Sequence, residues 1–398
     1  MKNTLSDRLN NLAPSATLAM SQRSGELKAS GVDVINMSVG EPDFNTPDHI
    51  KEAGKKAIDD NWTRYSPVPG YPDIKKAIVE KLKKENNLEY TTDEVLVSNG
   101  AKQCVCNAVL ALVNAGEEVI IPAPYWVSYP QMVKLAEGTP VYVEAKIEAD
   151  FKITPAQLES VITPKTKLII LCSPSNPTGS VYSQEELEGL AEVIKKHDDL
   201  YVLADEIYEH INYVGKHASI ASIPGMKERT IIINGVSKAY AMTGWRIGFM
   251  AGPQWIVKGC NKLQGQYTSG PCSMSQKAAV VAWNADQSCV EEMRKAFERR
   301  RDLIVKLAKE VPGLEVNVPQ GAFYLFPKCS SYFGKSFGDR KINTSSDLAM
   351  YLLEEGHVAT VGGDAFGSPE CFRMSYATSD ENIVEAISRI KAALAKLK

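Results

Sequence analysis

Short apolar runs alternate with amphipathic stretches between about residues 90 and 252. The runs are rich in aliphatic and β-branched residues, and they predict strands at 94–97, 118–121, 140–143, 167–172, 200–204, 230–233 and 246–251. Several runs are apolar on both faces, which is typical of strands that are covered by helices on each side. The alternation therefore predicts an α/β fold with a mostly parallel central sheet of about seven strands between helices.

The pattern changes after residue 274. A long helical stretch is predicted at roughly 274–310, followed by a strand pair at 314–318 and 322–326 and then by helix, strand and helix. This order indicates a smaller α+β domain that the N-terminal segment completes. We expect a large domain at 46–290 and a small domain formed by 1–45 and 291–398.

The composition argues against several classes of function. The chain has 398 residues, of which 44% are hydrophobic and 23% charged, and a formal net charge of -3. Nothing in this balance favours nucleic acid, and no run approaches the roughly 20 apolar residues of a membrane span. The eight cysteines are scattered without a zinc-binding spacing, so we expect no metal and reduced thiols in the cytoplasm.

Two loops that follow predicted strands have unusual chemistry. Residues 98–103 form a glycine turn before a helix, which can bind a phosphate but, taken alone, is a weak signal that an empty turn also explains. Residues 172–180 contain two prolines and a glycine, and they hold Asn176 in a rigid turn. That loop can serve either as a chain reversal or as a donor site for a ligand.

Charged residues follow the next strands. The fifth strand runs into Asp205 and then Tyr208, the sixth runs into Ser237 and Lys238, and the seventh opens at Arg246. Taken singly, Asp205 is compatible with a helix cap and Lys238 with a surface charge. Since ligands of open α/β sheets bind beyond the carboxyl ends of the strands, we expect these side chains to lie together.

One ligand matches the whole set. Pyridoxal 5'-phosphate has a phosphate for the helix start and the arginine, and a ring nitrogen for the carboxylate. Its phenolic oxygen suits a tyrosine and an asparagine, and its aldehyde suits a lysine amine. The sequence therefore predicts that Lys238 forms a Schiff base with this cofactor.

Several motifs carry a family resemblance. The segments SPSNPTG (173–179), DEIYEH (205–210) and NGVSKAYAMTGWRIG (234–248) resemble the class I aminotransferases of fold type I over essentially the full chain. PSAT (14–17), VGEPDFNTP (39–47) and PYWVSYP (124–130) are most similar to the prokaryotic aspartate aminotransferase subgroup. The resemblance also suggests cis peptide bonds at Ala123–Pro124 and Asn176–Pro177.

The resemblance implies roles for matching positions. Its catalytic residues would be Lys238, Asp205 and Tyr208. Its cofactor-binding residues would be Gly100, Ala101, Lys102, Trp126, Asn176, Asp205, Tyr208, Ser237, Lys238, Arg246 and, from the neighbouring subunit of a homodimer, Tyr65. Its substrate-binding residues would be Gly40, Trp126, Asn176, Arg373, Ser15 and Thr17.

The reaction implied is a ping-pong transfer of an amino group from an L-amino acid, aspartate being favoured, to 2-oxoglutarate. A lysine for a distal carboxylate is expected in the helix at 103–116 or before Pro14, but that helix has no base and Ala13 precedes the proline. Prephenate, aromatic or broader substrates therefore stay open, as does a lyase or decarboxylase on the same fold. A binding or regulatory module on this fold is the alternative from another class.

Overall fold

The computed structural model describes residues 4–398, which form thirteen α-helices and fourteen β-strands. The helices are α1 (Asp7–Asn10), α2 (Ala16–Ala29), α3 (Asp48–Asp59), α4 (Pro72–Asn86), α5 (Ala101–Leu112), α6 (Tyr129–Leu135), α7 (Pro155–Val161), α8 (Gln184–Ile194), α9 (Gln254–Tyr267), α10 (Ser273–Asn284), α11 (Ser288–Lys309), α12 (Ser345–Gly356) and α13 (Asp380–Leu394). The strands are β1 (Ile35–Asn36), β2 (Val95–Ser98), β3 (Glu118–Ala123), β4 (Thr139–Glu144), β5 (Thr166–Cys172), β6 (Tyr201–Asp205), β7 (Thr230–Gly235), β8 (Gly248–Ala251), β9 (Tyr324–Leu325), β10 (Ser336–Phe337), β11 (Arg340–Lys341), β12 (Val358–Ala359), β13 (Val361–Gly362) and β14 (Phe372–Ser375).

A seven-stranded sheet forms the centre of the molecule, in the order β2-β8-β7-β6-β5-β3-β4. Only β8 runs against its neighbours, so the sheet is mostly parallel. The apolar side chains of one face pack against α5, α6 and α9, and those of the other face pack against α4, α7, α8 and α10. The predicted α/β architecture is confirmed, and six of the seven strands begin within one residue of their predicted positions.

The seventh strand begins later than predicted. It starts at Gly248 rather than at Arg246, because Arg246 has a φ of 57° in the left-handed region and cannot continue a strand. Arg246 therefore lies in the loop before β8, where its side chain is free to turn back toward the end of β2.

The long helix predicted at 274–310 is wrong, because the structure has two helices there, α10 and α11. The break falls at Ala285, which has extended backbone. The side chain of Gln287 donates hydrogen bonds to the carbonyls of Ala282, at 3.0 Å, and Ala285, at 2.7 Å. These bonds satisfy carbonyls at the end of α10, so the chain turns there and restarts as α11.

The strand pair predicted at 314–318 and 322–326 is also wrong. Residues 314–318 make only one isolated bridge, between Glu315 and Lys328, and β9 pairs instead with β14. The intervening turn docks on the asparagine loop, since the amides of Gln320 and Gly321 both donate to the Gly179 carbonyl, at 2.8 and 2.9 Å. Tertiary contacts of the turn thus replace the hairpin.

The N-terminal segment joins the C-terminal part of the chain. Strand β1 pairs in parallel with β12, so that Ile35 lies opposite Val358. Ile35 and Met37 also belong to the largest apolar cluster, which is built mainly from α11, α12, α13, β9 and β14. The domain boundaries at residues 45/46 and 290/291 stay a prediction.

Two further properties concern residues 4–398 as a whole. All eight cysteines have free thiols, four of which are buried: Cys104, Cys260, Cys329 and Cys371. None of the described helices combines the length and the apolar character needed to cross a membrane.

Candidate active site

The turn between β2 and α5 presents the start of a helix at the carboxyl edge of the sheet. Gly100 precedes α5 with a φ of 80°, a conformation that glycine adopts without strain. A Cβ atom here would lie 2.5 Å from Nη2 of Arg246, so the arginine packs directly against the turn. Arg246 also donates to the carbonyls of Thr243, at 2.8 Å, and Asn99, at 3.3 Å. Helix-start amides beside a guanidinium favour a phosphate.

Asp205 ends β6 as a buried carboxylate, with 4% of its surface exposed. Its Oδ2 accepts a hydrogen bond from the Tyr129 hydroxyl at 2.6 Å, and its Oδ1 accepts one from the Ile207 amide at 3.3 Å. Burial raises the pKa of Asp205 to about 6, and the Tyr129 hydrogen bond opposes that rise. A buried carboxylate of this kind is stabilised by a cation such as a protonated ring nitrogen.

Lys238 follows β7, and its Nζ donates a hydrogen bond to the Gly40 carbonyl at 2.6 Å. Loss of hydration in the cavity lowers the pKa of Lys238 to about 8; the Glu41 carboxylate opposes this shift, and the positive charges of Arg373 and Arg246 reinforce it. An appreciable fraction of this amine is therefore neutral near neutral pH. A neutral, partly enclosed amine is what attack on an aldehyde requires.

Arg373 lies in the middle of β14 and is only 2% exposed. It donates from Nη1 to Asn176 Oδ1 at 2.9 Å and from Nη2 to the Ser38 carbonyl at 2.5 Å, while its buried Nε has no partner in residues 4–398. Its neighbours Phe372 and Met374 belong to the largest apolar cluster, because successive side chains of a strand lie on opposite faces. Arg373 thus offers a buried positive charge that matches a carboxylate.

The loop that carries Asn176 is closed by hydrogen bonds, since the Ser175 amide donates to the Ser180 carbonyl at 2.9 Å and the Gly179 amide donates to the Ser175 carbonyl at 3.0 Å. Its Ser173–Pro174 and Asn176–Pro177 peptide bonds are both cis, as is Ala123–Pro124 at the end of β3. The two cis bonds that the resemblance suggested are therefore confirmed, and the third was not predicted. Asn176 is 7% exposed and is held by its bond to Arg373.

Lys102 and Trp126 form another part of the site. Lys102 stands in the first turn of α5, and its Nζ lies 5.0 Å from the ring centroid of Trp126. The Trp126 ring packs edge-on against Tyr129, with centroids 5.3 Å apart, and Tyr129 in turn holds Asp205. This aromatic pair gives the site a flat apolar wall next to a carboxylate and a cation.

The other charged residues of the DEIYEH segment turn away from the site and are paired. Glu206 accepts a hydrogen bond from Ser219 Oγ at 2.6 Å and lies 3.2 Å from His217 Nε2, and Glu209 forms a buried ion pair with Lys81. His210 Nε2 lies 2.9 Å from a carboxylate oxygen of Glu85. Within one segment, therefore, only Asp205 is left without a charged partner.

The predicted site residues come together around a cavity of about 480 Å³. From the substrate-binding set, it is lined by Ser15, Thr17, Gly40, Trp126, Asn176 and Arg373. From the rest of the cofactor-binding set, it is lined by Ala101, Lys102, Asp205, Tyr208, Ser237, Lys238 and Arg246. Gly100 lies behind this surface against Arg246, and Tyr65 lies outside it with 99% of its surface exposed.

Sequence reasoning missed eleven lining residues, and those with polar side chains that bear on the site include Glu41, Tyr129, Thr243 and Tyr324. Glu41 accepts a hydrogen bond from the Thr243 hydroxyl, which closes one side of the cavity. Tyr129 begins α6 three residues beyond Trp126, and its place in the same PYWVSYP segment could have identified it. Tyr324 lies in an apolar strand and is indistinguishable by pattern from a core residue.

The charges of the site share one property. Asp205, Lys102, Lys238, Arg246 and Arg373 form no salt bridge with any residue between 4 and 398. Together they complement an anionic group, a protonated ring nitrogen, an aldehyde and a carboxylate, so the residues present fit pyridoxal 5'-phosphate and an amino acid. Fold and site define a pyridoxal-phosphate-dependent enzyme of fold type I.

The chain belongs to the aminotransferase class I and II family, whose model matches residues 32–390. It is 51% identical over 400 aligned residues to the bifunctional aspartate aminotransferase and glutamate/aspartate-prephenate aminotransferase of Petunia hybrida, covering 99% of this chain and 84% of that one. The protein is therefore a pyridoxal-phosphate-dependent aminotransferase.

Solved structures agree in fold. The aspartate aminotransferase of Rhizobium meliloti has a TM-score of 0.95 and 44% identity, covering 99% of this chain and all of that chain (100%). The aspartate aminotransferase of Thermus thermophilus with maleate has a TM-score of 0.92 and 39% identity, covering 98% of this chain and 100% of that chain. The predicted family and fold are confirmed.

The contact between Tyr129 and Asp205 generates a prediction. In the cofactor-free protein, Tyr129→Phe should raise the pKa of Asp205 above about 6, because the ionised carboxylate loses its shortest hydrogen bond. A hydrogen bond to a charged group contributes about 1.5–3 kcal/mol, so we expect a rise of about one to two pH units in the titration midpoint. The midpoint is measured by NMR of protein labelled at aspartate carboxyl carbons, with Asp205→Asn to assign the signal.

Tyr125→Phe is the matched control. Tyr125 lies in the same segment but stacks on Tyr142, with centroids 5.1 Å apart, and donates nothing to Asp205. An Asp205 midpoint that is unchanged in Tyr129→Phe, or moved equally in Tyr125→Phe, would contradict this account of the carboxylate.

Proposed function

We propose that this aminotransferase moves the amino group of L-aspartate to 2-oxoglutarate. The observation that carries the proposal is the set of unpaired charges in one cavity, because each has a counterpart in the cofactor or in a dicarboxylic amino acid. When bound, pyridoxal phosphate supplies an aldehyde that condenses with amines and a ring that accepts an electron pair. The remaining work of binding, orientation and proton movement falls to residues of this chain.

We propose that the cofactor is held at four points. The amides of Gly100, Ala101 and Lys102, with Ser237 and Arg246, bind the phosphate. Asp205 holds the proton on the ring nitrogen, and Trp126 stacks on the ring. Asn176 and Tyr208 donate to the 3' oxygen. The helix-start geometry and the unpaired charges of Arg246 and Asp205 support this arrangement.

Proton movement falls to Lys238. Its Nζ is held by the Gly40 carbonyl at 2.6 Å, and a pKa of about 8 lets it both accept and return a proton near neutral pH. The group that accepts the Cα proton of the substrate would therefore be Lys238 Nζ. Arg373 would hold the α-carboxylate at the same time, since Asn176 and the Ser38 carbonyl already fix two edges of its guanidinium.

The second carboxylate of the substrate needs a further cation. The sequence has no such cation in the helix at 103–116 or directly before Pro14. The side chain of Lys102, however, lines the cavity together with Ser15 and Thr17. We propose that the Lys102 amide serves the phosphate while its Nζ, above Trp126, binds the distal carboxylate. The similar Thermus thermophilus protein was solved with maleate, a dicarboxylate, which supports this choice of substrate class.

Replacing this cation tests the substrate. Lys102→Met should lower kcat/KM for aspartate by about 10- to 100-fold, because one charge-assisted hydrogen bond contributes about 1.5–3 kcal/mol. Alanine as donor should lose little, and cofactor retention should be unchanged. The measurement is steady-state kinetics with both donors and 2-oxoglutarate, with the exposed and unpaired Lys165→Met as control.

Two results would contradict the proposal. An equal loss for aspartate and alanine would remove Lys102 from distal recognition, and a loss of cofactor would assign its side chain to the phosphate. A wild-type preference for prephenate or aromatic oxo acids over 2-oxoglutarate would identify a different substrate.

We further propose a homodimer in which Tyr65 reaches the partner's cofactor phosphate. The loop around Tyr65 is fixed, because Ser66 Oγ donates to the Pro271 carbonyl at 3.1 Å and Ser273 Oγ donates to the Arg64 carbonyl at 2.9 Å. The phenol nevertheless projects outward and is 99% exposed. A fixed loop that presents one aromatic hydroxyl away from its own cavity supports a contact with a second copy.

The dimer proposal predicts that Tyr65→Phe releases cofactor more readily. Loss of one hydrogen bond should raise the dissociation constant of the cofactor about five- to tenfold without changing the mass of the particle. Absorbance titration and light scattering measure both quantities, and Tyr142→Phe, a half-exposed tyrosine stacked on Tyr125, is the control. An active monomer, or cofactor retention equal to that of the control, would contradict it.

We propose a cytoplasmic location. The support is the cysteine pattern: the thiols of Cys104, Cys260, Cys329 and Cys371 are buried among apolar side chains, and burial raises the pKa of each. Thiols of this kind are structural and unreactive, as is usual in a reducing compartment.

A further inference from the structure

Tyr324 lies at the junction of the cofactor and substrate halves of the cavity. We propose that Tyr324 is a positioning residue, whose hydroxyl directs the Tyr208 proton toward the cofactor and whose ring holds the Arg373 guanidinium for the substrate carboxylate. The inference rests on the proposed function, because it assigns the target of the Tyr208 proton to the cofactor's 3' oxygen. Tyr324 makes two contacts, one through its hydroxyl and one through its ring, and different substitutions remove them separately.

The first contact joins two buried hydroxyls. The oxygens of Tyr208 and Tyr324 are 2.7 Å apart, and the residues are 3% and 1% exposed. Either hydroxyl could donate in this bond, and each has one proton. If Tyr324 donates, the Tyr208 proton is left for an acceptor in the cavity. A phenol that accepts one hydrogen bond is also a better donor in the next, so Tyr324 strengthens the bond that Tyr208 makes.

The second contact is between the Tyr324 ring and Arg373. The guanidinium carbon lies 4.6 Å from the centroid of Tyr324 and 4.9 Å from that of Phe366. Both distances are within the range of cation–π attraction. Hydrogen bonds to Asn176 and Ser38 fix edges of the guanidinium, and the two rings add a second constraint on its position.

The backbone around Tyr324 is rigid enough for this role. Tyr324 lies in β9 opposite Ser375 of β14, two residues from Arg373, so tyrosine and arginine share a paired strand. A Cβ at Gly40 would clash with the Tyr324 hydroxyl oxygen, and the Gly40 carbonyl is the acceptor for Lys238 Nζ. The Tyr324 hydroxyl therefore also packs against the backbone of Gly40, whose carbonyl binds Lys238.

Two substitutions separate the contacts. Tyr324→Phe removes the hydroxyl and keeps the ring, so it should raise the cofactor dissociation constant about fivefold. The visible absorption of the bound cofactor changes with pH, and the midpoint of that change should rise in Tyr324→Phe. The reason is that a weaker Tyr208 donor stabilises the ionised 3' oxygen less. The KM for the amino donor should stay within about twofold. The other polar groups facing Tyr208 are Cys172, Arg373 and Lys238, and none is altered.

Tyr324→Leu removes the ring as well. It should show the same two cofactor effects and, in addition, raise KM for the amino donor and the inhibition constant of a simple dicarboxylate such as maleate about five- to tenfold. Circular dichroism and thermal melting identify any loss of fold. If Tyr324→Leu does not fold, Tyr324→Phe alone still decides the hydroxyl role through absorption and cofactor affinity.

Tyr376→Phe is the matched control. Tyr376 is equally buried, at 0% exposure, but its hydroxyl bonds to the Ala322 carbonyl and lies beside Tyr213, away from the cavity. It should change neither the absorption midpoint nor cofactor affinity. An unshifted midpoint in Tyr324→Phe, or an equal shift in Tyr376→Phe, would overturn the inference. A wild-type protein that binds no cofactor or fails to transaminate would instead overturn the proposed function.

Discussion

The structure depends on charges that surround one cavity and have no counterions among residues 4–398. Buried ionic groups are costly unless something pairs with them, and the DEIYEH segment shows the ordinary solution, since Glu209 is paired with Lys81. Asp205 and Arg373 differ, because each is almost fully buried and, among the described residues, forms hydrogen bonds only with neutral groups. The surrounding fold must therefore stabilise a site that is incomplete without its ligands.

Two parts of the fold hold these charges in place, the central sheet and the N-terminal segment. The strands β5, β6 and β7 are parallel neighbours, so their carboxyl ends bring Asp205 and Lys238 to one edge. The N-terminal segment is fixed to the rest of the fold at two points. Thr46 Oγ1 donates to the Ala241 carbonyl at 2.6 Å, and Asp43 accepts two hydrogen bonds from Arg300 at 2.7 and 2.9 Å. The Gly40 carbonyl is thereby held where Lys238 meets it.

Much of this arrangement was predictable from the sequence. Apolar runs located the strands of the sheet, and residues that follow strand ends converge because parallel strands share an edge, which accounts for Asp205 and Lys238. Arg246 was located as part of the site but assigned to a strand, since a left-handed φ leaves no trace in the apolar pattern. Tyr324 could not be distinguished from a core aromatic, because its role depends on contacts with Tyr208 and Arg373 across the fold.

The central claim is that Lys238, rather than another cation of the cavity, is the amine that carries the cofactor. Borohydride reduction converts an imine into a stable secondary amine, so reduction of the cofactor-loaded protein followed by peptide mass spectrometry locates the attachment. We predict a phosphopyridoxyl group on the peptide that contains Lys238 and on no other. Labelling of Lys102, the other lysine that lines the cavity, or of no lysine at all, would contradict it.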